Sequence, residues 1–321
     1  MPLGQEKREY LKLKAAYYCY ELDYSQVDAA KRLGISRVTL AKLLKEAREE
    51  GVVRIEVIDK RNLKKCFSLE DALRASFDLA DARVIEASDA DEGSLLGALA
   101  ATGAEYFESI VANNQRIAIA WGRTLELMMD YLQPDAGVRG LEVVTLMGGS
   151  GTMDSVIRPD IIAQRLLSKY SGKGYTINAP YICHTAAVCE AIKQEPNIED
   201  VFRRGRLADV TLVGIGERPA LTAQYDRHYQ YGKSIISQLI DSQAVGDICA
   251  NFFRADGALC NTSLQKRIVS IDITELCAHK HVIAVAGGKN KHEAVLGALR
   301  GGYLDALITD RATASFALEN K

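Results

Sequence analysis

Residues 24–51, Tyr-Ser-Gln-Val-Asp-Ala-Ala-Lys-Arg-Leu-Gly-Ile-Ser-Arg-Val-Thr-Leu-Ala-Lys-Leu-Leu-Lys-Glu-Ala-Arg-Glu-Glu-Gly, have few ways to fold: they spell two short helices, each with its own cap, around a glycine turn. Ser25 is predicted to cap the first helix, with Asp28 in the first turn as in a capping box. Val27, Ala30 and Leu33 then recur at helical spacing, and Gly34 takes the turn, where a positive φ costs glycine little. Ser36 is placed to cap the second helix, whose Leu40, Leu43, Leu44 and Ala47 form a core-facing stripe.

The opposite face of the second helix carries Val38, Lys42 and Lys45, with Arg37 and Thr39 at its start. That set suits a DNA groove: Arg37 can pair two-pronged with a guanine edge, Val38 can touch a thymine methyl, and Ser36 and the lysines can hold phosphates. Ser25, Gln26, Ser36, Arg37, Val38, Thr39, Lys42 and Lys45 are therefore the candidate DNA contacts of a helix-turn-helix. The plainer alternative is a helical hairpin with a solvated charged face. The N-terminal position of the pattern and the wing-like segment after it favour the first reading. Leu11, Ala15 and Tyr18 predict a third helix ahead of the pair, and Val52–Ile58 reads as a strand following it like a wing.

A chain of 321 residues, 48% apolar and 26% charged, has room for about two well-cored domains. No apolar run reaches the roughly 20 residues of a membrane span, and the N-terminus lacks a signal-peptide core, so a cytoplasmic protein without a membrane partner is expected. Seven cysteines with no C-x-x-C pair fit reduced, packed thiols, and Cys277-Ala-His-Lys-His281 is too sparse for a zinc site. The net charge of −2 hides an asymmetry: residues 1–65 hold 15 Lys+Arg against 10 Asp+Glu, and the remainder 25 against 32. A basic head on an acidic body suits a DNA-binding module joined to something that is not one.

Beyond residue 68 strands alternate with helices. Strands are predicted at 82–87, 115–121, 141–147, 174–179, 209–215, 281–286 and 304–309, and helices at 93–112, 123–132, 159–170, 185–194, 234–241, 291–300 and 311–319. This pattern predicts an α/β domain with a mostly parallel sheet, and Asp256-Gly257 looks like an inserted hairpin turn. The expected division is a winged helix-turn-helix domain over 1–58, a polar linker over 59–67, and an effector-binding and oligomerisation domain over 68–321.

Four strands end in loops of small residues: Ile117-Ala-Ile-Ala-Trp-Gly-Arg-Thr124, Val143-Val-Thr-Leu-Met-Gly-Gly-Ser-Gly-Thr152, Thr211-Leu-Val-Gly-Ile-Gly216 and Val282-Ile-Ala-Val-Ala-Gly-Gly-Lys-Asn-Lys291. In a parallel sheet these loops share the carboxyl edge, where such sheets bind ligands. Gly122, Gly148, Gly149, Gly214, Gly216 and Gly288 would bring backbone N–H groups close to an anion, and Arg123, Thr124, Ser150, Lys289 and Lys291 supply side chains for a phosphate. Asp247 can accept hydroxyl hydrogen bonds or simply turn the chain. No loop matches a nucleotide-binding fingerprint, and no catalytic or metal-ligand set is visible by spacing.

In combination, Tyr24-Ser-Gln, Gly34-Ile-Ser-Arg, Leu43-Leu44, Trp121-Gly122, Gly148-Gly149, Val213-Gly-Ile-Gly216, Val245-Gly-Asp-Ile-Cys249, Phe252-Phe253, Ala286-Gly-Gly288 with Lys291, Gly297-Ala-Leu299 and Thr309-Asp310 resemble the SorC/DeoR-type sugar-responsive bacterial transcription regulators. The resemblance implies an effector domain similar to phosphosugar isomerases and deaminases, assembly as a homodimer or homotetramer, double-stranded operator DNA as partner, and a phosphorylated sugar as signal, with no cofactor. Met147 stands directly before the Gly pair, where a lysine would offer an amine for a Schiff base, so binding through this loop is expected to be non-covalent. An isomerase- or deaminase-like enzyme with a helical appendage is the alternative; it requires a positioned general base that the sequence does not display.

Overall fold

The computed structural model describes residues 5–55, 66–86, 92–149, 158–219, 232–276 and 278–321. It divides the chain into two units, Met1–Lys60 and Arg61–Lys321. Among the described residues no helix is long and apolar enough to cross a membrane.

In the N-terminal unit, α1 (Gln5–Ala16) runs into a single wide turn, Tyr17–Glu21, followed by α2 (Gln26–Leu33) and α3 (Arg37–Glu49). Both predicted caps form. Ser25 Oγ accepts the Asp28 N–H (3.2 Å) and Ser36 Oγ accepts the Thr39 N–H (3.0 Å), while Gly34 turns the chain at φ 64°. Leu11, Ala15, Ala29, Ala30, Leu40, Leu43 and Leu44 fuse the three helices into one core. Val27, expected to join it, points outward at 57% exposure, because the short α2 turns its two alanines inward instead. Arg8 pairs with Glu46 (Nε to Oε2, 3.1 Å), and Lys12 with Glu9 (2.8 Å) and Glu50, which fastens α1 to α3. The expected wing strand does not form over residues 52–55: Gly51 takes a φ of 75° and the Val53 N–H closes onto the Ala47 carbonyl (3.0 Å), spending its donor on the end of α3. Residues 56–58 of that strand, and linker residues 59–65, lie outside the described residues.

The second unit opens with α4 (Phe67–Phe77), which has Cys66 at its N-cap position and no side-chain cap. It then alternates β1 (Asp81–Ile85), α5 (Glu92–Ile110), β2 (Arg116–Ile119), α6 (Arg123–Tyr131), β3 (Arg139–Thr145), α7 (Pro159–Lys169), β4 (Ser171–Tyr175), α8 (Ala186–Gln194), α9 (Pro196–Gly205), β5 (Val210–Val213) and α10 (Gly232–Asp241). A small hairpin, β6 (Gly246–Ile248) and β7 (Asn251–Phe253), and a one-turn α11 (Ile273–Leu276) precede β8 (Val282–Val285), α12 (His292–Arg300), β9 (Ala306–Asp310) and α13 (Arg311–Glu319). Seven strands form one parallel sheet in the order β1-β9-β8-β5-β2-β3-β4. Its inner strands β5, β8 and β9 are buried at every residue, as continuous apolar runs covered on both faces must be.

That order places a topological switch between β2 and β5. From β2 the chain winds outward through β3 to β4; from β5 it winds the other way through β8 to β9, so the two neighbours send their loops apart and leave a crevice.

Two elements differ from expectation. Strand β4 starts three residues earlier than predicted and ends at Tyr175, because the Ile177 N–H leaves the sheet to bond the Thr145 hydroxyl (2.9 Å). Asp256-Gly257 turns the chain as expected, with Phe253 and Leu259 bridged antiparallel across it, but an additional, tighter turn at Cys249-Ala250, both left-handed (φ 51° and 59°), joins β6 to β7. Asp247 accepts the Ala250 N–H (2.9 Å), and the Ser270 hydroxyl and the Asn251 amide both donate to the Cys249 carbonyl (2.8 and 3.2 Å), holding a conformation that neither cysteine nor alanine favours.

Candidate functional site

The loop after β2 passes through Trp121 and Gly122 into α6. Gly122 has φ 155°, open to glycine, and lies against Gly214 at the end of β5: a Cβ there would sit 3.9 Å from the Gly214 Cα. Helix α6 begins at Arg123 without a side-chain cap, so its first amides face the crevice at the positive end of the helix dipole, with Thr124 buried beside them.

On the far wall, the 3-10 turn Lys289–Lys291 leads into α12. Lys291 Nζ reaches across to donate to the Ile215 carbonyl (2.7 Å) in the loop after β5. Burial is the first influence on this ammonium and pushes it below the usual lysine range; Arg123 adds to that, while Glu217, Asp247 and Glu92 oppose it. These five groups thus converge on one place. Arg123 is held by Glu92 at 3.4 Å, and Arg218 pairs with Glu293 at the start of α12. Asp247 is buried; its carbonyl accepts the Gly216 N–H (2.8 Å) and its carboxylate caps the Cys249-Ala250 turn. Its position is therefore fixed by the chain turn, and it borders the crevice from there.

Four glycine expectations need correction. The Gly148 N–H goes to the Val269 carbonyl (2.9 Å) and the Gly149 N–H to the Ala179 carbonyl (3.1 Å), so neither donor is free for an anion. Gly148 is glycine for packing: a Cβ would collide with the Ala179 carbonyl oxygen. The Gly288 N–H is taken by Asp310 Oδ2 (2.7 Å), a fully buried carboxylate that also accepts the Thr313 hydroxyl (2.6 Å) and, through Oδ1, the Thr313 N–H (2.9 Å). Gly216 likewise spends its N–H on Asp247. The backbone cradle inferred from glycine content is thus largely internal wiring, and the groups that face the crevice are Arg123, the first turn of α6 and Lys291. Lys289 is exposed, and Ser150 lies outside the described residues.

Beside the crevice, at the carboxyl ends of β3 and β4, is a cleft of about 460 Å³ lined by Thr145, Gly149, Arg158, Asp160, Thr176 and Asn178, among others. Arg158 forms a two-pronged pair with Asp160 (3.0 and 2.8 Å), which holds that carboxyl below its usual range. Arg158 is not among the residues expected from the sequence, and its signal there is Arg158-Pro-Asp160 just ahead of a predicted helix. At the opposite, amino edge of the sheet His279 Nδ1 meets Thr211 Oγ1 (2.7 Å) and His281 Nε2 meets the Tyr106 hydroxyl (3.1 Å). Cys277 lies outside the described residues, and among those described no cluster suited to a metal ion occurs.

In the N-terminal unit, α3 exposes Arg37, Val38, Lys42 and Lys45 along one face, with Val38 81% exposed, while Leu40, Leu43, Leu44 and Ala47 anchor the other. Ser36 and Thr39 hydroxyls bond each other (2.8 Å) at the helix start, and Ser25 and Gln26 are exposed at the start of α2. Lys45 is loosely paired with Glu49 (3.6 Å), an exposed contact that a phosphate can displace.

Residues 61–319 match the Sugar-bind family, described as "Putative sugar-binding domain". The chain is 30% identical over 315 residues to the deoxyribonucleoside regulator of Bacillus subtilis, covering 97% of this chain and 98% of that one. It is 28% identical over 308 residues to the sorbitol operon regulator of Klebsiella pneumoniae (96% and 97% covered) and 30% identical over 314 residues to the transcriptional regulator LsrR of Escherichia coli K12 (96% and 94%). The crystal structure of the full-length sorbitol operon regulator SorC from Klebsiella pneumoniae superposes with a TM-score of 0.72 at 27% identity, covering 98% of this chain and all of that one.

Proposed function

The chain belongs to the Sugar-bind family, and from that premise we propose that it is a transcription regulator of a carbohydrate-utilisation operon, reading duplex operator DNA through α3 and binding a phosphorylated sugar non-covalently at the carboxyl edge of its sheet. The observation that carries the effector half is the convergence of Lys291, Arg123 and the uncapped start of α6 on the β2/β5 crevice. A half-buried cation, a helix dipole and a guanidinium favour an anion over a neutral polyol. Met147 is fully buried at the end of β3 and offers no amine, which supports non-covalent binding through that loop.

For the DNA half, a capped helix with an exposed Arg, Val and Lys face on a basic unit is what major-groove reading requires. One head carries one such helix, so reading a two-fold operator needs at least two copies, and an effector that favours one arrangement of the copies changes the spacing of the reading helices. The enzyme reading has no support from the whole-length relatives, which are named as regulators. The test is a thermal-shift screen of phosphorylated and free sugars: a ligand at about 100 times its Kd adds about 2.7 kcal/mol of stability, and only the phosphorylated members should do so. A screen in which free sugars stabilise equally would refute the anion site.

A further inference from the structure

A second cavity, of about 740 Å³, is walled by the end of α10 with the turn after it, the Arg254–Asp256 turn, α12 and the end of α13. Glu293, Leu296 and Arg300, one stripe of α12 at spacings of three and four, line its length. The apolar part of the lining is Val245 and Leu296, both buried, the half-buried Phe316, and Ile240, which stands 49% exposed. Around it lie charges. Arg218 pairs with Glu293, Arg254 makes a two-pronged pair with Asp256 (3.3 and 3.1 Å), and Arg300 donates to the carbonyls of Ala255 (2.8 Å) and Asn320. Arg300 thus has no acid of its own among the described residues, and the lining carries three guanidiniums against two carboxylates.

These features select the occupant. From Glu293 to Arg300 the helix advances only about 10 Å, too short a seat for a protein helix, whereas the volume falls in the roughly 300–1,000 Å³ of small-molecule sites. Apolar side chains beside an unbalanced guanidinium fit a molecule with an aromatic body and one acidic group. A sugar phosphate, covered in hydroxyls, would leave the apolar lining unused.

The cavity is separate from the effector crevice but shares its walls. At Gly246 the hairpin packs so closely on α12 that a Cβ would sit 2.5 Å from the Ala294 Cβ and 2.7 Å from the Gly216 carbonyl oxygen, which divides the two spaces. Val245, one residue before that contact, lines the cavity, and Asp247, one residue after it, borders the crevice. On α12, Glu293 enters the cavity two residues after Lys291, and the Phe316 ring lies 5.2 Å from that of His292, the neighbour of Lys291. We propose that this cavity is a second ligand site, for a small aromatic acid, whose occupant changes effector affinity by shifting the walls that the two sites share. The coupling rests on the proposed function; the site itself does not.

The test uses the full-length chain and 8-anilinonaphthalene-1-sulfonate, an aromatic body with one acidic group, followed by its fluorescence. The parent should bind a single dye per chain with blue-shifted emission. Arg300→Gln removes the guanidinium and Ile240→Glu sets an acid at an exposed position; each should weaken dye binding by about tenfold or more, with circular dichroism unchanged. Lys291→Met, which alters the crevice, should bind the dye as the parent does. In calorimetry, saturating dye should shift the parent's affinity for inorganic phosphate by about fivefold or more. No dye bound by the parent, equal binding in the parent and both cavity variants, dye binding lost in Lys291→Met, or a phosphate affinity that saturating dye leaves unmoved would overturn the proposal. Should inorganic phosphate fail to bind the parent, the crevice reading falls, and the dye titrations still decide the site.

Discussion

Lys291→Met isolates the ammonium on which the effector site depends. Methionine keeps most of the side-chain length and its apolar stem but removes the charge and the donor to the Ile215 carbonyl. A hydrogen bond to a charged group is worth about 1.5–3 kcal/mol, so losing the one that Lys291 gives to a phosphate should weaken effector binding by roughly 10- to 150-fold. Stability should change little in the ligand-free protein, since removing a poorly solvated charge offsets the loss of its bond to Ile215. The pH dependence has a definite sign. Lys291 titrates below the usual lysine range when folded, so across the window between its folded and unfolded pKa the unfolded chain binds more protons and ligand-free stability rises with pH. An anion reverses this by holding the ammonium protonated: effector affinity should fall as pH climbs through that window, with a proton taken up on binding. Calorimetry of a bound sugar phosphate in two buffers of different ionisation enthalpy measures both the affinity and the proton. Unchanged affinity and unchanged proton uptake in the variant would refute the assignment of Lys291 to the site.

Asp310→Ala removes a helix cap and leaves the Gly288 and Thr313 N–H groups without their buried acceptor, which should cost about 2–4 kcal/mol in urea unfolding, with Asp310→Asn milder because asparagine still caps. Gly148→Ala should destabilise by about 1–3 kcal/mol through the clash with Ala179, and, because the Gly148 N–H is already spent on Val269, the folded fraction should keep its effector affinity in calorimetry. In fluorescence anisotropy against operator variants, Arg37→Ala should cost about 1–3 kcal/mol at one base pair and relax preference there. Lys42→Ala should weaken all sequences alike and lower the salt slope by about 1.

How far the sequence disclosed this molecule depended on whether the information was local. Ser25 and Ser36 cap helices through amides three residues away, so their roles could be read from neighbours alone, and each buried strand carried its own apolar run. The Cys249-Ala250 turn could not be read, because Asp247, Asn251 and Ser270 impose a left-handed backbone on residues that do not ask for one. The glycine loops misled for the same reason: their position at the carboxyl edge was legible, but whether an N–H faces a ligand or a carbonyl is decided by Val269, Ala179 and Asp310, far off in the chain. The sequence points to Lys291 as a phosphate ligand, but its bond to Ile215, which bridges two loops of the crevice, depends on β5 and β8 being neighbours in the sheet.

The central claim is that a phosphorylated sugar at the sheet edge changes how tightly the N-terminal units hold DNA. It is tested most directly by titrating the full-length protein into a fluorescent duplex selected from genomic fragments for tight binding, with and without saturating sugar phosphate, at fixed salt. The account predicts a shift in DNA affinity of about 5- to 150-fold for a phosphorylated sugar that stabilises the protein, and none for its unphosphorylated form. A DNA affinity unmoved by every sugar phosphate that demonstrably binds would contradict it.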